Sequence, residues 1–316
     1  MKHVVLLGGS GQVGRLLARA WHGRGIRVTA LSRHPRPEPW ATGPWDPHAA
    51  TGTWHAQLDG ADVVVNLAGR SVDCRYHARN RQDIRDSRVT SVHALAQALR
   101  RLAHPPALWL QMSTATIYAH TSGPAHDERG PIGGDEADAP DTWRFSIEVA
   151  RAWEAAARAD VVPGIRQVLL RSAMVMSPDP GGVFAAFRGL ARWGLGGAHG
   201  PGDQYVSWIH DQDFVAALDF LIGRSDLDGV VNLAAPTPLP NRAFMAELRR
   251  HVGPGFGLPT PTWLLEIGAW LRRTESELLL KSRRVIPGRL SEAGFIFRHP
   301  DWASAAADLC RRWGQR

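Results

Sequence analysis

Short apolar runs alternate with longer amphipathic segments along the first two-thirds of the chain. The apolar runs predict β-strands over residues 3–8, 27–32, 62–69, 107–113 and 166–174. The segments between them have the spacing of amphipathic helices, which we predict over residues 12–23, 76–102 and 142–159. Uninterrupted apolar runs are typical of strands that helices bury on both faces. The pattern therefore predicts parallel βαβ units and an α/β fold.

The pattern changes after Ser177, where loops rich in glycine and proline replace the alternation. A helix over 208–223 and a strand over 229–235 are expected to return to the sheet, and prolines separate short predicted helices over 236–316. We therefore divide the chain into a sheet domain and a smaller, mostly helical lobe, with a ligand cleft between them. The sheet domain comprises residues 1–177 and 208–235, and the lobe comprises residues 178–207 and 236–316.

Four apolar residues of the lobe recur at helical spacing: Trp263, Leu264, Ile267 and Leu271. Such a stripe more often forms part of a hydrophobic core than a cage for a ligand. We therefore expect these side chains to face the core of the lobe.

Composition narrows the class of protein further. The 316 residues are enough for one large domain with a smaller lobe, and no apolar run reaches the ~18 residues that a membrane span needs. Cys74 and Cys310 are the only cysteines and lie far apart in sequence, so neither a disulfide framework nor a zinc cluster is expected. These features favour a soluble protein of the reducing cytoplasm without a membrane partner.

The net charge of +7 raises nucleic acid as a partner. Almost all of this basicity comes from arginines that are scattered along the chain among 30 acidic residues. The 14 histidines likewise form no recognised metal-binding motif. We expect neither nucleic acid nor a metal ion to bind.

The first predicted strand ends in a glycine-rich stretch, GGSGQVG, that opens the first predicted helix. In this context the glycines fit a dinucleotide-binding loop, because they permit a tight turn, close approach of a pyrophosphate and close packing of helix on strand. The free N–H groups at the start of the helix attract phosphates. A purely structural glycine turn is the alternative. The predicted phosphate-binding residues are Gly8, Ser10, Gly11, Gln12, Val13 and Gly14.

The end of the second predicted strand indicates which dinucleotide binds. A cofactor with a free ribose 2′-hydroxyl is usually met there by Asp or Glu. The chain instead has Ser32 and Arg33 at this place and no acid. An arginine can pair with a 2′-phosphate, so we predict NADP(H) rather than NAD(H). The alternative is that Arg33 is an ordinary solvated side chain.

Several motifs resemble those of extended short-chain dehydrogenases. They are GGSGQVG (8–14), NLAG (66–69) and STATIYA (113–119). Two further stretches, DIRDSRVTSVHAL (83–95) and VIPGRLSEAGFIFRHP (285–300), resemble an atypical epimerase subfamily with a C-terminal domain of unknown function. The resemblance covers essentially the whole chain. It implies a Rossmann-type doubly wound parallel sheet, NADP(H) as cofactor and a small polar substrate such as a nucleotide sugar.

The resemblance also implies roles for individual residues. The NLAG residues that it places beside the cofactor are Asn66, Leu67, Ala68 and Gly69. Ser113 and Thr114 end the strand that faces the nicotinamide, Thr114 polarises the substrate oxygen, and Tyr118 occupies the second conserved position of the motif. Arg88 is the best placed of the five arginines crowded within residues 75–88 to reach the cofactor or the cleft.

One expected feature of the family is missing. Short-chain dehydrogenases typically use a tyrosine followed four residues later by a lysine, which lowers the tyrosine pKa and makes it a general acid or base. Phe145 and Val149 occupy these places here, and neither can transfer a proton. Other residues near the cleft more often have structural roles, and we expect this of His120, Asp127, Glu128, Tyr205 and His210.

The sequence thus favours an NADP(H)-binding epimerase- or reductase-like oxidoreductase with a small polar or sugar-like substrate. The altered catalytic pair keeps a second hypothesis open, a noncatalytic NADP(H)-binding protein that senses redox state or docks to a partner. Neither the pattern nor the motifs determine the substrate, the stereochemistry or the oligomeric state.

Overall fold

The apolar runs form the strands of a parallel sheet in the computed structural model, which describes residues 1–49, 52–136, 139–253, 255–266, 275 and 277–315. In chain order the strands are β1 (His3–Leu7), β2 (Arg27–Ser32), β3 (Ala41–Pro44), β4 (Val63–Asn66), β5 (Leu108–Thr114), β6 (Arg166–Ser172), β7 (Met174–Met176), β8 (Tyr205–Val206), β9 (Trp208–His210), β10 (Gly229–Leu233) and β11 (Leu239–Pro240). The helices are α1 (Gln12–His22), α2 (Thr53–Leu58), α3 (Ala78–Leu99), α4 (Asp141–Ala159), α5 (Val183–Arg192), α6 (Asp211–Gly223), α7 (Asn241–His251), α8 (Glu277–Leu280), α9 (Gly288–Glu292) and α10 (Trp302–Gly314).

Seven strands form the main sheet in the order β10-β6-β5-β4-β1-β2-β3, and every neighbouring pair is parallel. The order reverses beside β1, with β2 on one side and β4 on the other. This is the doubly wound Rossmann topology, so the predicted fold class is confirmed. Ligands of such sheets bind outside the carboxyl ends of the strands, at the reversal point.

Several predicted elements differ from the structure in detail. The runs over 62–69 and 166–174 form the shorter strands β4 and β6, because the chain turns where each run leaves the sheet. Strand β3 was not predicted, since this edge strand is largely exposed, contains glycine and proline, and has no apolar run. The segment over 208–223 divides into strand β9 and helix α6.

Helices cover both faces of the sheet, as the apolar strands require. One core lies beneath α1 and α6 and includes Leu17 and Phe214. The other lies beneath α3 and α4 and includes Val92 and Trp153. These two layers hold the carboxyl ends of the strands in fixed positions, so loops that follow the strands share a rigid frame.

The smaller lobe has its own core of aromatic side chains from α5, α7 and α10. Phe244 stacks on Trp302 with ring centroids 4.0 Å apart. The expectation that Trp263 and Leu264 belong to this core is wrong, because they are 62% and 38% exposed. Helical spacing predicts that apolar residues share one face of a helix, but it does not predict whether another element packs against that face. The core of the lobe is built from other residues, mainly of α5, α7 and α10. Ile267 and Leu271 lie outside the described residues.

Within the described ranges, no helix has both the length and the apolar content that crossing a lipid bilayer requires.

We predict that Gly14→Ala destabilises the fold. A Cβ at this position lies 2.5 Å from the Gly9 carbonyl oxygen and 2.6 Å from the Gly9 Cα, both backbone atoms, so the helix must move away from the loop. We expect a loss of about 1–3 kcal/mol in the free energy of unfolding, measured by urea denaturation.

The matched control is Gly189→Ala in α5, where nothing lies within 4 Å of the added Cβ. Because alanine favours helix over glycine, this variant should gain about 0.5–1 kcal/mol. Equal effects of the two substitutions contradict the proposed contact between loop and helix.

Candidate functional site

The glycine loop after β1 brings three backbone segments into close contact. Gly8 has φ +76°, and a Cβ there lies 2.9 Å from the Cα of Ala68 in the loop after β4. Helix α1 then begins from Gly11, with no side-chain cap and no acidic residue in its first turn. Since the first N–H groups of a helix have no intrahelical partner, those of Gln12, Val13 and Gly14 leave a positive helix end at the carboxyl edge of the sheet. This geometry fits a phosphate group.

The side chains of this loop differ in their surroundings. Ser10 is exposed and Val13 is half-buried. Gln12 turns its side chain beneath the loop after β7, because a Cβ built on Gly182 falls 2.0 Å from the Gln12 Nε2. That Nε2 atom is buried and has no hydrogen-bond partner in the part of the chain that the structure describes. Gln12 therefore connects the phosphate-binding loop with the smaller lobe.

The end of β2 carries the expected cation. Ser32 is buried, and its carbonyl oxygen accepts a hydrogen bond from the Trp45 N–H at 3.0 Å. Arg33 is exposed at the same edge, and no described carboxylate forms an ion pair with it. The guanidinium is therefore available to a 2′-phosphate.

Asn66 shapes the NLAG turn from within the protein. Its side-chain amide donates to the Ser91 hydroxyl at 3.2 Å and to Gln111 Oε1 at 3.0 Å, and its Oδ1 accepts the Ala68 N–H at 3.1 Å. The side chain is fully buried and its hydrogen bonds go to other protein groups, so Asn66 positions the turn. The backbone of Leu67 and Ala68 then lies against Gly8.

Arg88 is a cation at the wall of a cleft beyond this turn. Its Nη1 donates to the Arg70 carbonyl oxygen at 3.1 Å and to the Ile84 carbonyl oxygen at 2.9 Å, and its guanidinium lies 5.0 Å from the centre of the Trp153 ring. Burial lowers the pKa of Arg88 to about 10. Among the described residues no carboxylate pairs with it, so the site fits an anionic ligand group.

The cleft at the carboxyl ends of β4 and β5 encloses a cavity of about 150 Å³. Its walls include Val72, Tyr76, Ile84, Arg88, Thr114, Thr116, Phe145, Ser146, Val149, Trp153, Glu277 and Arg283. Both the sheet domain and the C-terminal segment therefore contribute to it. A larger open cavity of about 440 Å³ lies between α7 and α10 and contains none of the sequence-predicted site residues.

Of the three predicted catalytic residues, only Thr114 lies at this cavity. Its hydroxyl donates to the Thr116 Oγ1 at 3.1 Å and accepts the Thr116 N–H at 3.2 Å. Ser113 points to the other side of the strand, as alternation along β5 requires, and its hydroxyl donates to Glu154 Oε1 at 2.7 Å. The hydroxyl of Tyr118 donates to Asn232 Oδ1 at 2.7 Å.

Ser113 and Tyr118 both belong to a buried network around an ion pair. Arg171 donates to the two carboxylate oxygens of Glu154 at 2.8 Å each, and to the Tyr118 oxygen at 3.0 Å. Burial raises the pKa of Glu154, but the hydrogen bonds and charge of Arg171 outweigh it and the pKa is lowered overall. Burial raises the pKa of Tyr118. The structure thus does not bring Ser113 and Tyr118 together with Thr114, and their hydroxyls serve the network.

Phe145 and Val149, at the places of the missing pair, line the cavity. The ring of Tyr76 meets the Phe145 ring edge-on with centroids 5.0 Å apart. Sequence reasoning missed Tyr76 because no lysine follows it at the expected spacing and only the fold brings it beside α4. Burial and the charge of Glu277 raise the pKa of Tyr76 to about 12.

The C-terminal segment contributes a buried ion pair to the same cavity. Arg283 Nη2 donates to Glu277 Oε1 at 3.1 Å, and Arg283 Nε donates to Thr116 Oγ1 at 3.2 Å. The hydroxyl of Ser146 donates to Glu277 Oε2. Burial raises the pKa of Glu277 and lowers that of Arg283. No motif in the sequence indicated this pair.

The other candidates near the cleft make contacts within the protein. His120 stacks on Trp143 and accepts the Ser282 N–H at 3.1 Å. Asp127 accepts the Arg129 N–H at 2.8 Å, and Glu128 accepts the N–H groups of Asn232 and Arg289. The Tyr205 ring lies 4.2 Å from the guanidinium of Arg284.

His210 caps α6 by accepting the Gln212 N–H at 3.1 Å. Its Nε2 lies 3.1 Å from Asp308 Oδ2, and His299 stacks on it. Potential metal-ligating atoms of His210, His299 and Asp308 lie within 4.8 Å of one another. Arg312 donates to Asp308 at 2.6 Å and already supplies positive charge there.

Comparison with known proteins adds to this geometry. The NAD dependent epimerase/dehydratase family matches residues 4–234, and a domain of unknown function, DUF1731, matches residues 260–309. The chain belongs to this epimerase/dehydratase family. The C-terminal match contains Glu277 and Arg283, so a domain without an assigned function supplies part of the cavity wall.

Individual relatives cover almost the whole chain. Human epimerase family protein SDR39U1 is 30% identical over 311 residues, covering 97% of this chain and 99% of its own length. Its crystal structure with NADPH superimposes with a TM-score of 0.84 at 29% identity, covering 98% and 99% of the two chains. The expected class of cofactor, a nicotinamide dinucleotide, is confirmed, since the family is NAD dependent and the human relative was solved with NADPH.

Two bacterial relatives agree with the family assignment. An epimerase family protein of Mycobacterium bovis is 33% identical over 308 residues, covering 94% of this chain and 93% of its own. The crystal structure of a nucleoside-diphosphate sugar epimerase from Corynebacterium glutamicum has a TM-score of 0.74 at 27% identity, covering 98% of this chain and 58% of that one.

We predict that Glu154→Gln costs about 3–5 kcal/mol in the free energy of unfolding at neutral pH, because it leaves the Arg171 charge buried without its partner. The lowered pKa of Glu154 in the folded state means that the carboxylate stabilises the wild type above its unfolded pKa. This contribution is lost as the pH falls through the folded pKa, so the difference between variant and wild type should shrink in acid.

The control is Glu247→Gln, which removes a carboxylate that pairs with the 73% exposed side chain of Arg250. This change should cost less than about 1 kcal/mol in the same urea titration. A Glu154→Gln variant as stable as the control shows that the buried network does not support the fold.

Proposed function

We propose that this protein is an NADP(H)-dependent oxidoreductase of the epimerase type, acting on a small polar or sugar-like substrate in the cavity beside Thr114. One observation carries the proposal. Positive groups without an anionic partner among the described residues, namely the start of α1, Arg33 and Arg88, lie at one edge of the sheet and lead to this cavity. Phosphates and an anionic substrate are the ligands that such groups attract.

The proposed cofactor contacts divide by chemistry. Backbone N–H groups of Gln12, Val13 and Gly14 hold the pyrophosphate, and Arg33, with Ser32 shaping its backbone, binds the 2′-phosphate. The turn over 67–69 lies beside the cofactor, and Arg88 faces an anionic group. When bound, the nicotinamide supplies hydride to a substrate carbon or accepts it from one. On substrate binding, the Thr114 hydroxyl turns its one proton from Thr116 Oγ1 to the substrate oxygen and thereby stabilises negative charge on it.

The cavity lining favours a polar substrate. Hydroxyls of Thr114, Thr116 and Ser146 and the ion pair of Glu277 with Arg283 offer both donors and acceptors. The relative from Corynebacterium glutamicum is named a nucleoside-diphosphate sugar epimerase. Together these observations support a nucleotide sugar as the class of substrate.

Phe145 and Val149 favour a second candidate function, a noncatalytic NADP(H)-binding protein that senses redox state or docks to a partner. Such a protein binds the cofactor tightly and turns over no substrate. Turnover therefore separates the two candidates.

We predict that Arg33→Ala weakens NADPH binding about 10- to 100-fold and leaves NADH binding nearly unchanged. A charge-assisted hydrogen bond to the 2′-phosphate contributes about 1.5–3 kcal/mol, and NADH lacks that phosphate. Dissociation constants follow from the fluorescence of each dihydronicotinamide in titrations at fixed ionic strength.

Arg101→Ala is the control, because this exposed arginine follows α3 at the opposite edge of the sheet. It should leave both dissociation constants unchanged. If Arg33→Ala weakens the two cofactors equally, the assignment of the 2′-phosphate is incorrect.

We predict that Thr114→Ala lowers the turnover number about 10- to 100-fold, since it removes a donor to the developing negative charge. Thr114→Ser keeps the hydroxyl and should retain most activity. The assay follows NADPH oxidation with dihydroxyacetone and cyclohexanone, and NADP⁺ reduction with UDP-sugars. Tight NADPH binding without turnover of any of these compounds supports the noncatalytic candidate instead.

A further inference from the structure

Tyr76 lies beside the position that the family's catalytic tyrosine usually occupies. Its ring meets that of Phe145 at 5.0 Å, and both residues line the cavity that Thr114 also lines. The backbone N–H of Tyr76 donates to Glu275 Oε1 at 2.9 Å, which fixes the chain just before α3. The phenol therefore belongs to the same cavity wall as the proposed substrate-polarising hydroxyl.

A chain of polar groups lies behind this phenol. Ser146 is in side-chain contact with Tyr76, and its hydroxyl donates to Glu277. Glu277 in turn accepts a hydrogen bond from Arg283. The contact with Ser146 lowers the pKa of Tyr76, but burial and the charge of Glu277 outweigh it. The phenol therefore keeps its proton at neutral pH.

Other titratable groups near the cleft are less suited to proton transfer. The Lys281 ammonium is buried and donates to the Thr116 carbonyl oxygen at 2.8 Å, and it is absent from the described cavity wall. Glu277 is paired with Arg283, and Arg88 is a guanidinium that keeps its proton near neutral pH. Tyr76 is thus the neutral acid at the cavity.

We propose that Tyr76 replaces the missing tyrosine as the proton donor, with Ser146 and Glu277 as positioning residues, and that the site reduces carbonyl groups. This inference rests on the proposed function, because it requires NADPH as the reductant. The carbonyl carbon gains a C–H bond from the hydride of the dihydronicotinamide as the C=O π bond breaks. The carbonyl oxygen takes the phenolic proton of Tyr76.

The products of this step are the alcohol, the oxidised nicotinamide and a phenolate at Tyr76. The phenolate recovers its proton from water once the alcohol has left. Every proton and electron pair is then accounted for, with NADPH as reductant and water as the final proton source.

The charges around Tyr76 favour reduction of a carbonyl group over oxidation of an alcohol. In the usual pair a lysine ammonium lowers the tyrosine pKa and so permits removal of a proton from an alcohol. Here burial, Glu277 and Cys74 together raise the pKa of Tyr76 to about 12, against the smaller opposing effects of Ser146 and Arg283. A phenol that keeps its proton at neutral pH can give it to a carbonyl oxygen but rarely accepts one from an alcohol.

The test compares Tyr76→Phe with the wild type in NADPH oxidation with dihydroxyacetone. We expect the turnover number to fall about 10²-fold or more, within the range that general acid catalysis supplies, and the dissociation constant of NADPH to stay unchanged. Tyr205→Phe is the matched control and should retain full activity, because Tyr205 lies outside the described cavity wall. A Tyr76→Phe variant as active as this control overturns the assignment.

Ser146 provides a second, independent variant. Ser146→Ala should lower the turnover number about tenfold, because the phenol loses the hydroxyl that positions it, whereas Ser146→Thr, which keeps a hydroxyl, should restore the wild-type turnover number. If alanine and threonine have the same effect, Ser146 acts only in packing and the positioning role is refuted.

Titration of the cofactor-free protein tests whether Tyr76 keeps its proton, without the need for an activity assay. The chain has three tyrosines, so the ultraviolet difference between wild type and Tyr76→Phe isolates one phenol. We expect no tyrosinate from Tyr76 up to about pH 10.5, above the ordinary tyrosine pKa of about 10. Ionisation below pH 10 contradicts a proton-retaining donor.

The outcomes also separate this inference from the proposed function. Wild type that binds NADPH but reduces no carbonyl, yet reduces NADP⁺ with an alcohol or UDP-sugar, overturns the reductive direction and leaves the oxidoreductase intact. Wild type that binds no NADPH refutes the proposed function itself.

Discussion

Positive charge without an anionic partner at the carboxyl edge of the sheet is the feature on which this account of the protein depends. The start of α1, Arg33 and Arg88 all carry such charge within the described part of the chain. By contrast, the buried Arg171 is paired with Glu154 through two hydrogen bonds of 2.8 Å. A half-buried cation without a partner is unfavourable unless a ligand supplies the opposite charge. This contrast supports the proposal that the carboxyl edge binds an anionic ligand, whereas the Arg171 network is structural.

The smaller lobe contributes residues to this region and contacts the helix that begins it. Arg19 of α1 pairs with Asp179, and Gln12 packs against Gly182, so the loop after β7 contacts the helix that begins the phosphate site. From the other side, the C-terminal segment contributes Glu277 and Arg283 to the cavity. Movement of the lobe would therefore alter the cofactor loop and the substrate cavity together.

The features that follow from local chemistry could be predicted from the sequence. Glycines at 8, 11 and 14 after an apolar run specify the turn into α1 and predict a phosphate site there, and Arg33 in place of an acid at the end of β2 predicts NADP(H). The parallel sheet follows from apolar runs alone. Strand β3 could not be recognised, because an exposed edge strand needs no apolar residues to form its backbone ladder.

The predictions that depended on side-chain direction were less successful. Ser113 and Thr114 are neighbours in the motif, yet strand alternation sends one to the Glu154 network and the other to the cavity. Tyr76 and Glu277 enter the site from distant parts of the chain, and no spacing rule relates them to Phe145. A motif thus locates a strand end, whereas the packing of helices on it determines which side chains meet there.

A crystal structure of this protein with NADPH tests the central claim most directly. The account predicts the pyrophosphate on the N–H groups of Gln12 to Gly14, and the 2′-phosphate within hydrogen-bond distance of the Arg33 guanidinium. Phosphates bound elsewhere on the surface, or crystals that hold no cofactor when grown with it in excess, would contradict the claim.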